Sequence, residues 1–289
     1  MLPVLASGLL AIMALVQTDT TVAVERGQRL QVSAHTGEIV VKTWARNAVR
    51  VQAASSDRGR VAVITSATAV RVRTEGRHGP ASLELHITAP TWMAVDLSGV
   101  YTDISVAGAG GAVAVETVQG DVDVEGGVGL VSLRSVQGSV TLRRATGRIE
   151  VHSVNEGVEV FGSSGEIEAE TVNGDITLNG VAASSLTATT VNGDVEYDGP
   201  IRTGGRYSLS SHNGDLTLTV APETSASVSV STFNGEFESE FPVTLKETGK
   251  GKRFSFTIGA GSAQVTLESF QGTISLIRPG SNQARDEDH

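Results

Sequence analysis

The 289-residue sequence contains no cysteine. That excludes disulfides, a thiolate zinc site, a thiol nucleophile and an acylated lipoprotein cysteine. Aromatic residues make up only 4% of the chain, while glycine reaches 33 residues. Such a mix suits thin strands and tight turns rather than helices around a thick core. Basic charge is short: 22 Lys and Arg stand against 32 Asp and Glu, for a net charge of −10. A phosphate backbone is repelled by that surplus, which argues against nucleic acid as a partner. Catalytic signatures are missing too. There is no H-E-x-x-H, no G-x-S-x-G elbow and no G-x-x-x-x-G-K-[ST] loop. AGAGGA at 107–112 precedes a strand rather than a helix, so it does not read as a dinucleotide site. Long apolar runs are confined to Val4–Val16, within MLPVLASGLLAIMALVQT. This run is too short to span a bilayer comfortably and reads as the core of a secretory signal over residues 1–17, although no basic segment precedes it. Export to the periplasm or cell surface follows, with no stable membrane insertion once the leader is removed.

What the chain has is repetition. VNGDITL at 172–178 returns as VNGDVEY at 191–197, HNGDLTL at 212–218 and FNGEFES at 233–239, and earlier as VQGDVDV at 118–124. Stepping by nine from Val95 lands on Ile104, Val113, Val122, Val131, Val140, Ile149, Val158, Ile167 and Ile176, all β-branched. Two places on, the same steps give Leu97, Val106, Val115, Val124, Leu133, Leu142, Val151, Val160, Ala169 and Leu178. Polar residues lie between, which is the alternation of strands with one buried face. Like corners, such as Gly120 and Gly138, recur every 18 residues, so each repeat holds two strands. Asn-Gly between strands ordinarily marks a hairpin. A meander of hairpins gives no reason for alternate corners to match, whereas a coil returning to the same place does. The expected fold is all-β: a single-stranded parallel β-helix (a solenoid of about 18–21 residues per coil) with an N-terminal β-sheet cap. Its segments are a leader at 1–17, the cap at 18–90, the β-helix at 91–278 and a disordered tail at 279–289. About nine or ten coils stack about 4.8 Å apart into a rod roughly 45 Å long. Beyond Ile176 the inward pairs become Leu186/Ala188, Val195/Tyr197, Tyr207/Leu209, Leu216/Leu218, Val228/Val230 and Val265/Leu267. Phe233, Phe237, Phe241, Phe254, Phe256 and Phe270 read as filling for a wider core, with a carbohydrate-stacking platform as the alternative. Residues from Phe241 to Arg253 read as an inserted hairpin, and either it or the charged tail after Pro279 covers the C-terminal end.

These features resemble a bacterial family of exported β-strand-repeat proteins, the head-GIN type of candidate adhesin. The resemblance is carried by HTGEIVVKTWARNAVRVQA at 35–53, ITAPTWMAVDLSGV at 87–100 and the [VF]-[NQ]-G-[DE] corners. It implies a parallel β-helix exposed to the periplasm or cell surface, and it transfers no catalytic residue.

The strongest candidate for chemistry is an acidic row. Asp175, Asp194, Asp215 and Glu236 share one corner position on successive coils, with Asp121 further down. Carboxylates about 5 Å apart repel, and Ca²⁺ would accept them together with corner carbonyls. The competing reading is that each Asp closes its own turn while the neighbouring Asn amides form a ladder. The calcium-binding nonapeptide is excluded, because Val131 stands where its ligand Asp belongs. His212 takes the Val place of its corner, read as inward and partly buried. The expected function is a non-enzymatic scaffold without a cofactor. It would present an acidic, Ser/Thr-rich surface to an envelope protein or a surface polysaccharide. The rivals are a β-helical polysaccharide lyase or hydrolase, which needs two carboxylates in a groove, and weak calcium binding along the acidic row.

Overall fold

The computed structural model describes residues 18–55, 60–75, 82–244, 246–247 and 252–280. The expected leader and the last nine residues of the expected tail lie outside this set. Among the described residues the chain is all-β, with 25 strands in one hydrogen-bonded system and no helix.

The middle of the chain builds two parallel ladders. After the 16-residue strand β7 (Ala94–Ala109), which belongs to both, strands alternate between them. The first ladder takes β8 (Val113–Gln119), β10 (Val128–Gln137), β12 (Thr146–His152), β14 (Ser164–Glu170), β16 (Ala182–Asn192) and β18 (Arg206–Asn213). The second takes β9 (Val122–Gly126), β11 (Val140–Arg143), β13 (Val158–Phe161), β15 (Ile176–Asn179), β17 (Val195–Asp198) and β19 (Leu216–Thr219). Val131 pairs with Ile149 and Ile149 with Ile167, while Val140 pairs with Val158 and Val158 with Ile176. Every member of the nine-residue ruler is buried, from Val95 and Leu97 through Ile176 and Leu178. The β-branched side chains therefore meet in a dry interior, and the polar residues between them face out. The arrangement is solenoid-like and mostly parallel.

The ends depart from simple sequential stacking. β24 (Ala263–Gln271) lies between β18 and β20 (Ala226–Thr232), parallel to both. Likewise β25 (Ile274–Ile277) lies between β19 and β21 (Phe237–Ser239). The last turn of the chain is thus inserted one layer inside the end. The other terminus mirrors this. β2 (Arg29–Trp44) sits parallel between β7 on one side and β5 (Ala69–Glu75) with β6 (Ser82–Pro90) on the other. A terminal strand placed this way has both backbone edges paired, whereas an outermost one would leave an open edge. Antiparallel strands close the ends. β3 (Ala48–Ser55) covers β6 and is covered by β1 (Thr18–Ala23), and β4 (Arg60–Thr65) covers β5. The Arg50 guanidinium, paired with Asp19 across β1 and β3, holds that carboxyl below its ordinary value. At the far end β23 (Lys252–Ile258) runs antiparallel to β20 and to β22 (Lys246–Glu247). The inserted hairpin expected over Phe241 to Arg253 is met in part, because β22 and β23 pair but β23 runs on to Ile258 along β20; residues 245 and 248–251 lie outside the described set.

The wider coils are filled by two tyrosines and by some of the expected phenylalanines. Tyr197 and Tyr207 are buried edge-to-face with ring centroids 5.6 Å apart. Tyr197 Oη donates to the Val181 carbonyl (3.0 Å) and Tyr207 Oη to the Ala183 carbonyl (2.7 Å). Of the six phenylalanines read as filling, Phe256 is buried and Phe237, Phe241 and Phe254 are partly buried, but Phe233 and Phe270 face solvent.

Candidate functional site

The repeated Val-Asn-Gly-Asp corner carries three parallel columns, each set by hydrogen bonding between coils. The residue before the corner valine is always a small hydroxyl residue on the inward side: Thr117, Ser135, Ser153, Thr171, Thr190, Ser211, Ser269 and Thr232 are all buried. Ser135 Oγ donates to the Gly120 carbonyl at 3.0 Å, Ser153 to Gly138 at 3.1 Å and Ser211 to Gly193 at 2.8 Å. These bonds satisfy corner carbonyls that face the interior, which would otherwise be costly. Because that inward place is taken, period-two alternation turns the next residue outward. Val118, Val136, Val154, Val172 and Val191 are accordingly exposed. His212 is exposed as well, which corrects the expectation that it points inward.

Outside the valine column stands an amide ladder. Asn192 Nδ2 donates to Asn173 Oδ1 and Asn213 Nδ2 to Asn192 Oδ1, both at 2.8 Å, and Asn173 bonds Asn155 at 3.3 Å. Glycine follows, because the corners stack backbone on backbone. Gly214 has φ 159°, and a Cβ there would collide with the Gly193 carbonyl. The acids come last. Asp175 Oδ1 accepts the N–H of Asp194 (2.8 Å), Asp194 Oδ1 that of Asp215 (2.7 Å), and Asp215 Oδ1 that of Thr273 (2.6 Å). Each carboxylate therefore ties its corner to the next coil; the expected closure of its own turn is not what these bonds do. All four candidate metal residues are exposed, but they are not four consecutive layers. The inserted coil puts Thr273 between Asp215 and Glu236, whose carbonyl accepts the N–H of Ile274. Among the described residues, no group of three or more His, Asp or Glu is placed to hold a metal ion.

The most differentiated outward feature is where the valine column ends. Coil order makes it run Val191, His212, Phe270, Phe233. The His212 and Phe270 rings are stacked with centroids 4.6 Å apart and planes within 6°, and Phe270 and Phe233 with centroids 5.0 Å apart and planes within 3°. Phe233 is 65% exposed. Beside the stack runs a shallow groove of about 470 Å³, whose lining includes Thr189, Ser210, Ser231, Glu268 and Arg253. The sequence signal was present: the corner position that holds Val in five repeats holds His or Phe in the last three. Sequence order alone placed His212 and Phe233 in adjacent repeats, with Phe270 remote.

The fold and its corners define an all-β, solenoid-like repeat protein. The chain belongs to the Toastrack DUF4097 family, whose model matches residues 27–277, a β-strand-repeat family of unknown function. No curated protein matches the sequence significantly. Among solved structures, it is similar to a candidate adhesin from Parabacteroides distasonis (8% identity, TM-score 0.47, covering 90% of this chain and 97% of that one). A candidate adhesin from Bacteroides fragilis is similar too (12% identity, TM-score 0.38, 90% and 97% covered). So is a candidate lipid-binding protein from Parabacteroides distasonis (9% identity, TM-score 0.40, 90% and 96% covered). Among the described residues no helix is long and apolar enough to cross a membrane.

Proposed function

We propose that this chain is a non-enzymatic, exported scaffold, wound as a single-stranded parallel β-helix of about 18–21 residues per coil. In this reading residues 18–90 cap a rod spanning 91–278, and the surface serves as an adhesin-like face for an envelope protein or a cell-surface polymer. The observation that carries it is the outward surface itself. One Val, His or Phe per coil forms an exposed column beside an amide ladder and a carboxylate column, all anchored on a closed aliphatic interior. Such a surface offers the same groups at about 4.8 Å intervals and suits an extended partner better than a compact one. The apolar run Val4–Val16 supports export. The test is fractionation of the source cells followed by co-sedimentation of the purified chain with intact envelopes. Recovery of the chain in the envelope or outside the cell, with saturable co-sedimentation, is expected. Recovery in the cytoplasm, or no association with envelopes, overturns the proposal.

A further inference from the structure

Resting on that reading, we infer that the groove beside Phe233, Phe270 and His212 is a binding site for an uncharged polysaccharide lying along the coil axis. The first ladder changes character along its length. In its earlier layers this outward row is ionisable: Glu116, Arg134, His152 and Glu170 pair in register from strand to strand. From β16 onward the outward residues are mostly hydroxyls, with Glu268 among them. Thr187 and Thr189 stand against Ser208 and Ser210, then Thr266 and Glu268, then Ser229 and Ser231. All of these side chains are at least partly exposed. The result is a lattice of hydroxyl groups about 4.8 Å apart across strands and about 6.6 Å apart along them. Each hydroxyl both donates and accepts, so the lattice can bond a partner bearing the same group without asking for charge.

One wall of this floor is aromatic. Parallel rings in contact stand about 3.5 Å apart face to face. The 5.0 Å centroid separation of Phe270 and Phe233 therefore means that the rings are slid past one another, leaving part of each face uncovered. A sugar ring has the complementary pair of surfaces, an apolar face of C–H groups and a rim of hydroxyls. Charge narrows the class. Among the groove's lining the formally charged residues are Glu268 and Arg253, of opposite sign, although the chain as a whole carries −10. A polyanion gains nothing from such a floor and is repelled by the surrounding protein. An acyl chain would have to cover Thr189, Ser210 and Ser231 without bonding them, which is unfavourable.

The experiment is isothermal titration of the full chain with the hexasaccharides of β-1,4-glucose, α-1,4-glucose and β-1,4-N-acetylglucosamine, with polygalacturonate as the anionic comparison. Saturable binding of at least one neutral hexasaccharide, and tighter than that of the polyanion, is expected. The double variant Phe233→Ala, Phe270→Ala should weaken it at least tenfold. Both rings are exposed, so the fold should survive, and an unchanged melting temperature checks this. Val118→Ala with Val136→Ala, in the same column at the other end, should leave binding unchanged. The inference is overturned if no neutral sugar binds, if polygalacturonate binds best, or if the Phe variant binds as the parent does. It is also overturned if that variant only converts a self-associated form to a monomer. A chain that co-sediments with envelopes yet binds none of these sugars loses this inference alone; one that fails to associate with envelopes loses the underlying reading.

Discussion

Asp194 accepts the backbone N–H of Asp215, the residue at the same corner one coil further along, through Oδ1 at 2.7 Å. The repeated acid is therefore a strut between layers. Asp194→Ala leaves the Asp215 N–H to water and should cost about 1 kcal/mol, less than the usual value of about 1.5–3 kcal/mol for a hydrogen bond to a charged group because the site is exposed. Asp194→Asn retains an acceptor oxygen and should recover much of that loss. Urea denaturation of the three proteins checks it; equal midpoints for Ala and parent would remove the strut.

The hydroxyl column makes a separate prediction. Ser153 Oγ is buried and donates to the Gly138 carbonyl at 3.1 Å. Ser153→Ala should destabilise the chain by about 1–2 kcal/mol, since a carbonyl facing the interior loses its partner. Ser184 makes a comparable bond, to Gly165 at 3.2 Å, but is exposed. Ser184→Ala should change stability by less than about 0.5 kcal/mol. The contrast between the two midpoints is the measurement.

Glycine's role at the corners can be divided between backbone conformation and space. Gly204 has φ 73° and no atom within 4 Å of where an alanine methyl would stand, while Gly214 at φ 159° faces the Gly193 carbonyl directly. Gly204→Ala should cost about 1 kcal/mol from the left-handed conformation alone. Gly214→Ala must push two stacked corners apart and should cost more than about 3 kcal/mol. Thermal unfolding that ranks them the other way would show that stacking is looser than the contacts imply.

Tyr197 gives the pH dependence. Burial, with the adjacent Tyr207 hydroxyl, raises its pKa well above the ordinary tyrosine value. The folded state thus keeps the proton that the unfolded state releases near about pH 10. The stabilisation is complete below that pH and declines as pH rises above it. Tyr197→Phe should be less stable at neutral pH, having lost its bonds to the Val181 and Pro200 carbonyls, but should show a shallower fall between about pH 9 and 11. Parallel slopes for the two proteins would contradict the assignment.

How much of this was legible beforehand depends on the kind of information. Alternation in Val131-Ser132-Leu133 and its copies states which side chains are inward, because a strand has period two. The match of Gly120 to Gly138 states that the chain returns to the same place. Neither says which copy lies beside which, so Phe270 could not be set between His212 and Phe233 from order alone. The inward hydroxyl column was readable, as Ser or Thr precedes every corner Val, His or Phe from Thr117 onward. That column alone would have turned His212, Phe233 and Phe270 outward, though not brought them together. The acids misled in part because an Asp beside Gly ordinarily bonds its own turn.

The inserted last coil has the largest consequence. In a solenoid stacked strictly in chain order, ending the chain after Ser262 would trim one terminal layer and leave the rest nearly intact, since each layer contacts only its neighbours. Here the removed strands β24 and β25 are an internal layer. Their loss separates β18 from β20 and β19 from β21, exposing the Leu209, Leu218, Val228 and Val230 faces and a row of unpaired backbone groups on each of these four strands. The truncated chain should therefore lose β20–β23 as a folded unit and aggregate through the open edges. Hydrogen exchange should show the amides of 226–232 unprotected while those of 131–151 remain slow. Protection at 226–232 in the truncated chain would mean that β20 can close directly onto β18, and that the inserted layer is dispensable.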